Sequence, residues 1–158
     1  MAGTAHLICG MICSGKSHYA KALRERTGAV ILSCDEITLL FPPLGEKHDE
    51  VTAKLRALLL EKAADVARGG CDVILEWGFW QRAYRRETEA YFLSRGIPVR
   101  RHYIAASEET LRRHIAKRNQ EENGPGAYYV DEGLLNKCLS LFEPPLPEET
   151  DEWIVPEA

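Results

Sequence analysis

Gly10-Met11-Ile12-Cys13-Ser14-Gly15-Lys16-Ser17 sets two glycines, a lysine and a hydroxyl at the spacing G-x-x-x-x-G-K-S. Residues of those types in that order suit one chemistry, the holding of a polyphosphate. The glycines let the backbone curl so that successive N–H groups face phosphate oxygens. The Lys16 ammonium reaches the β- and γ-phosphates, and the Ser17 hydroxyl can ligate Mg²⁺. A helix opening here adds its positive N-terminal end. Gly10, Met11, Ile12, Cys13, Ser14, Gly15, Lys16 and Ser17 are therefore the expected nucleotide-binding residues, with ATP as the expected nucleotide. The competing reading is a glycine-rich turn that binds nothing.

Further residues with chemistry to offer follow apolar runs. Asp35, in Ser33-Cys34-Asp35-Glu36, comes after AVILS. It reads either as an N-cap for the helix-like ITLLF or as a general base that takes the proton of an attacking hydroxyl. Glu76 closes DVILE as a Walker B acid would, although Asp is usual there. It then holds magnesium through water or binds substrate, because a carboxylate ending a buried strand is costly without such a partner. Gly78 allows close backbone approach, and Phe79 and Trp80 offer flat walls to a substrate or serve as ordinary packing. Arg82 and Arg85 either recognise an anionic acceptor or face solvent. In Thr110 to Asn119, 100° per residue puts Leu111, His114, Ile115 and Arg118 on one face. Arg118 then points toward the body of the protein, where it can steady transition-state charge as an arginine finger supplied in cis. Arg113 and Lys117 fall on the solvated face.

Positioning these residues takes alternating strands and helices. Strand-like segments are Ala5 to Cys9, Ala29 to Ser33, Asp72 to Glu76, Val99 to Ala105 and Trp153 to Val155. Helix-like segments are Ser17 to Arg26, Asp49 to Arg68, Gln81 to Ser94, Glu108 to Glu122 and Asp131 to Phe142. The second of these carries an apolar stripe of Val51, Leu55, Leu58, Leu59 and Val66, with Gly69-Gly70 as its stop. The pattern predicts an α/β fold: a three-layer sandwich around a five-stranded parallel sheet, with ligands at the carboxyl ends of the strands. A single domain, 1–158, is expected, with a helical lid at about 108–130 whose loop, Glu121 to Tyr129, closes over the reactants and excludes water.

Composition bounds the partners. The chain has 158 residues, 45% hydrophobic and 28% charged, which suits one globular domain. A net charge of −4 gives no global field favouring nucleic acid or an anionic membrane. The N-terminus lacks a basic region and breaks at Gly10, and no run is long enough to span a bilayer, so a cytoplasmic location is expected. Cys9, Cys13, Cys34, Cys71 and Cys138 show no C-x-x-C spacing, which suits reduced thiols.

Taken together, the loop, Asp35, Gly78 to Arg85 (GFWQRAYR), Arg118-Asn119 and Phe142-Glu143-Pro144-Pro145 resemble a family of small bacterial P-loop kinase-like ATP-binding proteins of AAA type. Its relatives include polynucleotide 5′-hydroxyl kinase, chloramphenicol 3-O-phosphotransferase and zeta toxins. The resemblance implies a nucleoside-monophosphate-kinase-like fold, ATP and Mg as cofactors, and a general-base role for Asp35. Two positions depart from it. Polynucleotide kinases follow the Asp by three residues with Arg, where this chain has Thr38, and the lid commonly carries Arg where this chain has His114. The expected function is Mg-ATP-dependent transfer of the γ-phosphate to a hydroxyl of a small molecule, with Lys16, Asp35 and Arg118 catalytic and with Asp35, Glu76, Gly78, Trp80 and Arg82 toward the acceptor. Ser17 and Glu76 are the expected metal-side residues. The alternatives are a nucleotide-binding regulator or slow ATPase whose ATP state is read by a partner, and a nucleoside or nucleic-acid-end kinase.

Overall fold

A computed structural model of the chain describes residues 1–121 and 129–156. Its strands are β1 (Ala5–Gly10), β2 (Val30–Ile31), β3 (Val73–Gly78), β4 (Val99–Ile104) and β5 (Glu152–Ile154). The helices are α1 (Lys16–Thr27), α2 (Cys34–Thr38), α3 (His48–Arg68), α4 (Arg82–Leu93), α5 (Glu108–Gln120) and α6 (Glu132–Leu141). The strands form one sheet in the order β2-β3-β1-β4-β5, every neighbouring pair parallel. Central β1 is buried at every position, as a strand covered on both faces must be.

Alternation along β1 divides the core into two layers. Leu7 and Cys9 face Ala63, Ala64, Ala67 and Phe92 on one side, while Ile8 faces Ala20 and Leu23 of α1 on the other. Within α3 the buried positions are Leu59, Ala63, Ala64 and Ala67, not the whole stripe of large residues expected, and Leu58 is 49% exposed. Small alanines let α3 lie close against the sheet. Three other boundaries differ. β2 keeps only Val30–Ile31 of the expected strand. The short helix starts at Cys34 instead of spanning ITLLF, because the Ser33 Oγ accepts from the Glu36 N–H and caps it. β3 runs on to Gly78, so Glu76 lies inside the strand and does not end it. The described residues include no helix long and apolar enough to cross a membrane. The expected lid loop, from Glu121 to Tyr129, lies mostly outside the described residues.

A polar chain crosses the α1 side of the sheet. The His6 Nε2–H donates to Asp72 Oδ2 at 2.9 Å, and the Asp72 Oδ1 also accepts from the Thr4 N–H at 2.8 Å. The remaining His6 nitrogen pairs with His102 Nε2 at 3.0 Å, and the Tyr19 hydroxyl reaches His102 Nδ1 at 2.8 Å. One tautomer satisfies every link: His102 Nε2–H donates to His6 and Tyr19 O–H donates to His102. His102 is 3% exposed, and burial, helped by the neighbouring His6, lowers its pKa to about 4.

That shift fixes the sign of an acid effect. Between pH 6.5 and about 4 the unfolded chain takes a proton on His102 that the native protein refuses, so the stability present above pH 6.5 is lost as pH falls. The loss is roughly 3 kcal/mol at most from this group. Urea unfolding at stepped pH should show that slope in the wild type and a shallower one in His102→Gln, which keeps hydrogen-bonding ends but does not titrate. Equal slopes in the two proteins would refute the assignment.

Candidate active site

The loop after β1 is shaped by backbone conformations that few residues adopt. Gly15, which precedes α1, has φ 104°, and Cys13 has φ 59° although it carries a side chain. Such a conformation costs a non-glycine residue on the order of 1 kcal/mol or more and collects at functional loops. Ser14 at the loop's centre is fully buried, and its Oγ has no hydrogen-bond partner among the described residues. An orphaned buried hydroxyl inside a curled loop suits an oxyanion ligand.

Lys16 is half-buried, and its Nζ donates to the Gly10 carbonyl at 3.1 Å and the Met11 carbonyl at 2.7 Å. Burial pushes its pKa below the ordinary lysine value, and the Glu76 carboxylate pulls it back up, with Asp35 adding a smaller pull. The ammonium is thus the focus of the site's electrostatics.

One cleft of about 800 Å³ gathers most of the residues nominated by the sequence. Ile12 through Ser17 form one wall, Ser33, Asp35, Glu36 and Leu39 another, with Glu76 on β3 and His114 and Arg118 on α5. Asp35 is exposed in the first turn of α2, and neither its carboxylate nor that of Glu76 has a hydrogen bond or ion pair among the described residues. With Ser33 as the cap, Asp35 has no capping task. The Thr38 Oγ1 donates to the Asp35 carbonyl, so this side chain turns inward and away from the cleft. The buried Cys34 beside Asp35 has its thiol pushed up to about 11 by burial, which leaves it neutral and a poor nucleophile. All five thiols are free.

Helix α5 meets the loop along the face that its sequence marks out. Leu111 and Ile115 are buried, His114 and Arg118 half-buried, and Arg113 and Lys117 exposed. The His114 Nδ1–H donates to the Cys13 carbonyl at 2.8 Å, and Arg118 Nη1 lies 3.2 Å from the Cys13 Sγ. Both side chains therefore touch the loop itself.

Gly78, Trp80 and Arg82 do not line the cleft. The Trp80 indole N–H donates to the Gly10 carbonyl, and Phe79, 1% exposed, stacks between Trp77 and Tyr84 in the core. Arg82 and Arg85 turn to Glu149, at 3.5 and 3.7 Å, and tie α4 to the segment before β5. Among the cleft residues that the sequence reading did not nominate are two cations, Lys21 and Arg24 on α1, neither of which has an ion pair among the described residues. Their spacing from Ser17, i+4 and i+7, is the signal that would have found them.

A family model described as AAA domain matches residues 6–145. No curated protein matches the sequence. Among solved structures, a gluconokinase from Sinorhizobium meliloti 1021 is similar at a TM-score of 0.64 and 20% identity, over 98% of this chain and 81% of that one. Kti12 from Chaetomium thermophilum in complex with ADP-AlF3 gives a TM-score of 0.72 at 14% identity, over 96% and 88% of the two chains. The Mycobacterium tuberculosis APS kinase CysC, in complex with AMPPNP and APS, gives 0.60 at 17% identity, over 99% and 90%. At such identities the likeness speaks for the fold alone. The family match, however, begins inside β1 and ends just short of β5, spanning the loop and every wall of the cleft: the chain belongs to the AAA-domain family, with the fold of P-loop kinases.

Proposed function

We propose that the protein is a Mg-ATP-dependent phosphotransferase that moves the γ-phosphoryl group to a hydroxyl of a small molecule. The observation that carries this reading is Asp35: an exposed carboxylate with no structural task, in the same cleft as Lys16 and the phosphate-binding loop. Lys16 exchanges its two loop carbonyls for the β- and γ-phosphate oxygens. Asp35 accepts the proton of the acceptor hydroxyl as that oxygen bonds to the γ-phosphorus and the bond to the ADP oxygen breaks. Arg118, held against the loop, meets the charge spread over the transferring group. The Ser17 hydroxyl and the Glu76 carboxylate, which line the same cleft, are hard oxygen donors that fit Mg²⁺. When bound, the ion neutralises phosphate charge. The inward-turned Thr38 leaves no cation at the position where polynucleotide kinases carry Arg, which favours a small molecule over a nucleic-acid end.

A second reading is a nucleotide-binding regulator, favoured by the contacts from α5 to Cys13, which make the loop's state legible on that helix. Acceptor-dependent ADP release separates the two. Stimulation by a hydroxyl compound marks a kinase, and its absence across a broad panel marks the regulator.

Two substitutions test the assigned roles. Asp35→Asn should keep MgATP affinity and melting temperature near wild type while transfer falls by about 10²- to 10⁴-fold, the range for a lost general base. A variant retaining more than about a tenth of wild-type kcat would end that role. Arg118→Ala should lower kcat by about 10³-fold with a smaller change in MgATP affinity, and the exposed Arg113→Ala should lose far less. Matching losses in the two arginine variants would show that facing the loop is irrelevant to turnover.

A further inference from the structure

We propose that Trp80 is a positioning residue for the phosphate-binding loop: its indole N–H holds the Gly10 carbonyl so that Lys16 can leave it for the nucleotide. The inference rests on the reading of Lys16 as the phosphate-binding cation. In the structure the Gly10 carbonyl is shared, accepting from Lys16 Nζ at 3.1 Å and from Trp80 Nε1 at 2.9 Å. The other carbonyl held by Lys16, that of Met11, is shared as well, accepting from the Ser14 N–H at 3.1 Å. Each oxygen that Lys16 must give up thus keeps a donor when the ammonium swings to the phosphates. Without the second donor, release of Lys16 would strand a carbonyl on a residue that is itself buried, and that penalty would be subtracted from nucleotide affinity.

The surrounding residues are arranged to hold the indole there. Gly78 has φ +83°, and a Cβ at that position would sit 2.9 Å from Trp80 Nε1 and 3.4 Å from the Gly10 carbonyl oxygen, so a side chain would wedge the pair apart. On its other side the indole packs into the cluster of Met11, Leu111 and Leu135 alongside Ile12 and Cys13, while the Trp80 carbonyl accepts from the Glu143 N–H at 2.8 Å. Trp80 is therefore fixed from the α5–α6 side and at its backbone, leaving its single donor aimed at the loop. Neither of the other tryptophans takes that place: Trp77 donates to the Leu32 carbonyl, and Trp153 is 49% exposed.

A double-mutant cycle separates this role from mere loop packing. Calorimetry with MgAMPPNP should show Trp80→Phe, which keeps a ring but loses the donor, weakening affinity about ten-fold when Lys16 is present and less than about two-fold in a Lys16→Ala background. Equal losses in both backgrounds, or none in either, would overturn the proposal. If Trp80→Phe does not fold, the wild-type indole resonance decides. The Trp80 Nε1–H signal should move downfield on MgAMPPNP addition, because its carbonyl is no longer shared, and an upfield move or no move overturns the proposal. A wild-type chain that fails to bind MgAMPPNP removes the phosphate-binding reading of Lys16 and this inference together, whereas binding with additive losses removes the inference alone.

Discussion

A cation held out of bulk water at the end of the central strand sets the terms for the rest of the molecule. The half-buried Lys16 ammonium is tolerable only where carbonyl and carboxylate oxygens surround it, and the Gly10 and Met11 carbonyls and the Glu76 charge provide them. That requirement explains the location. β1 is the only strand with β3 on one side and β4 on the other, so only its carboxyl end can draw on a carboxylate from β3 and on the helix that follows β4. The parallel order brings these strand ends together at one edge of the sheet, where open α/β folds bind ligands.

Bracing of the loop follows from the same constraint. A curled backbone with a non-glycine residue at φ 59° would relax if left to itself. Two distant segments and one local turn prevent this: Trp80 after β3 grips the loop's first carbonyl, His114 on α5 grips that of Cys13, and within the loop Ser14 closes a turn onto Met11. The hydrophobic cluster joining Met11, Leu111, Ile115 and Leu135 then couples loop, α5 and α6 as one packed unit. Charge is supplied on the cleft side of this unit and packing on the other, so the same residues both shape the loop and leave its open face polar.

The legibility of the site in the sequence was uneven, and the reasons are physical. The phosphate loop was readable because its glycines and lysine are dictated locally, by backbone shape and by one charge. The α5 face was readable because a helix converts spacing into direction, and Arg118 indeed lies with Leu111 and Ile115. Trp80 and Arg82 were not readable as structural, because what occupies them comes from far along the chain: the indole's partner is the carbonyl of Gly10 and the guanidinium's is Glu149. Ser33 displaced Asp35 as the cap for a similar reason, since where a short helix begins depends on the strand before it, and β2 stops at Ile31. The Asp72–His6–His102–Tyr19 chain left no local signal, as its members come from separate elements.

If Asp35 is the base of the proposed phosphotransferase, water at its carboxylate governs the distance from binding to transfer. The loop and Lys16 can hold phosphates in an open cleft, because their donors are fixed beforehand by the sheet. A carboxylate on the exposed turn of a short helix is different: hydrated, it has water to compete with any hydroxyl for its lone pairs. An acceptor that gives up its proton there must first displace that water, and the neighbouring wall gives it an apolar means of doing so. Leu39, 39% exposed, lines the cleft directly after α2, and the more exposed Leu40 and Phe41 follow it. Seating a substrate's carbon skeleton against Leu39 would exclude water from one flank of Asp35 while the phosphate-binding loop occupies the other. On the proposed reading, Asp35 becomes effective as a base only when the acceptor itself dries it.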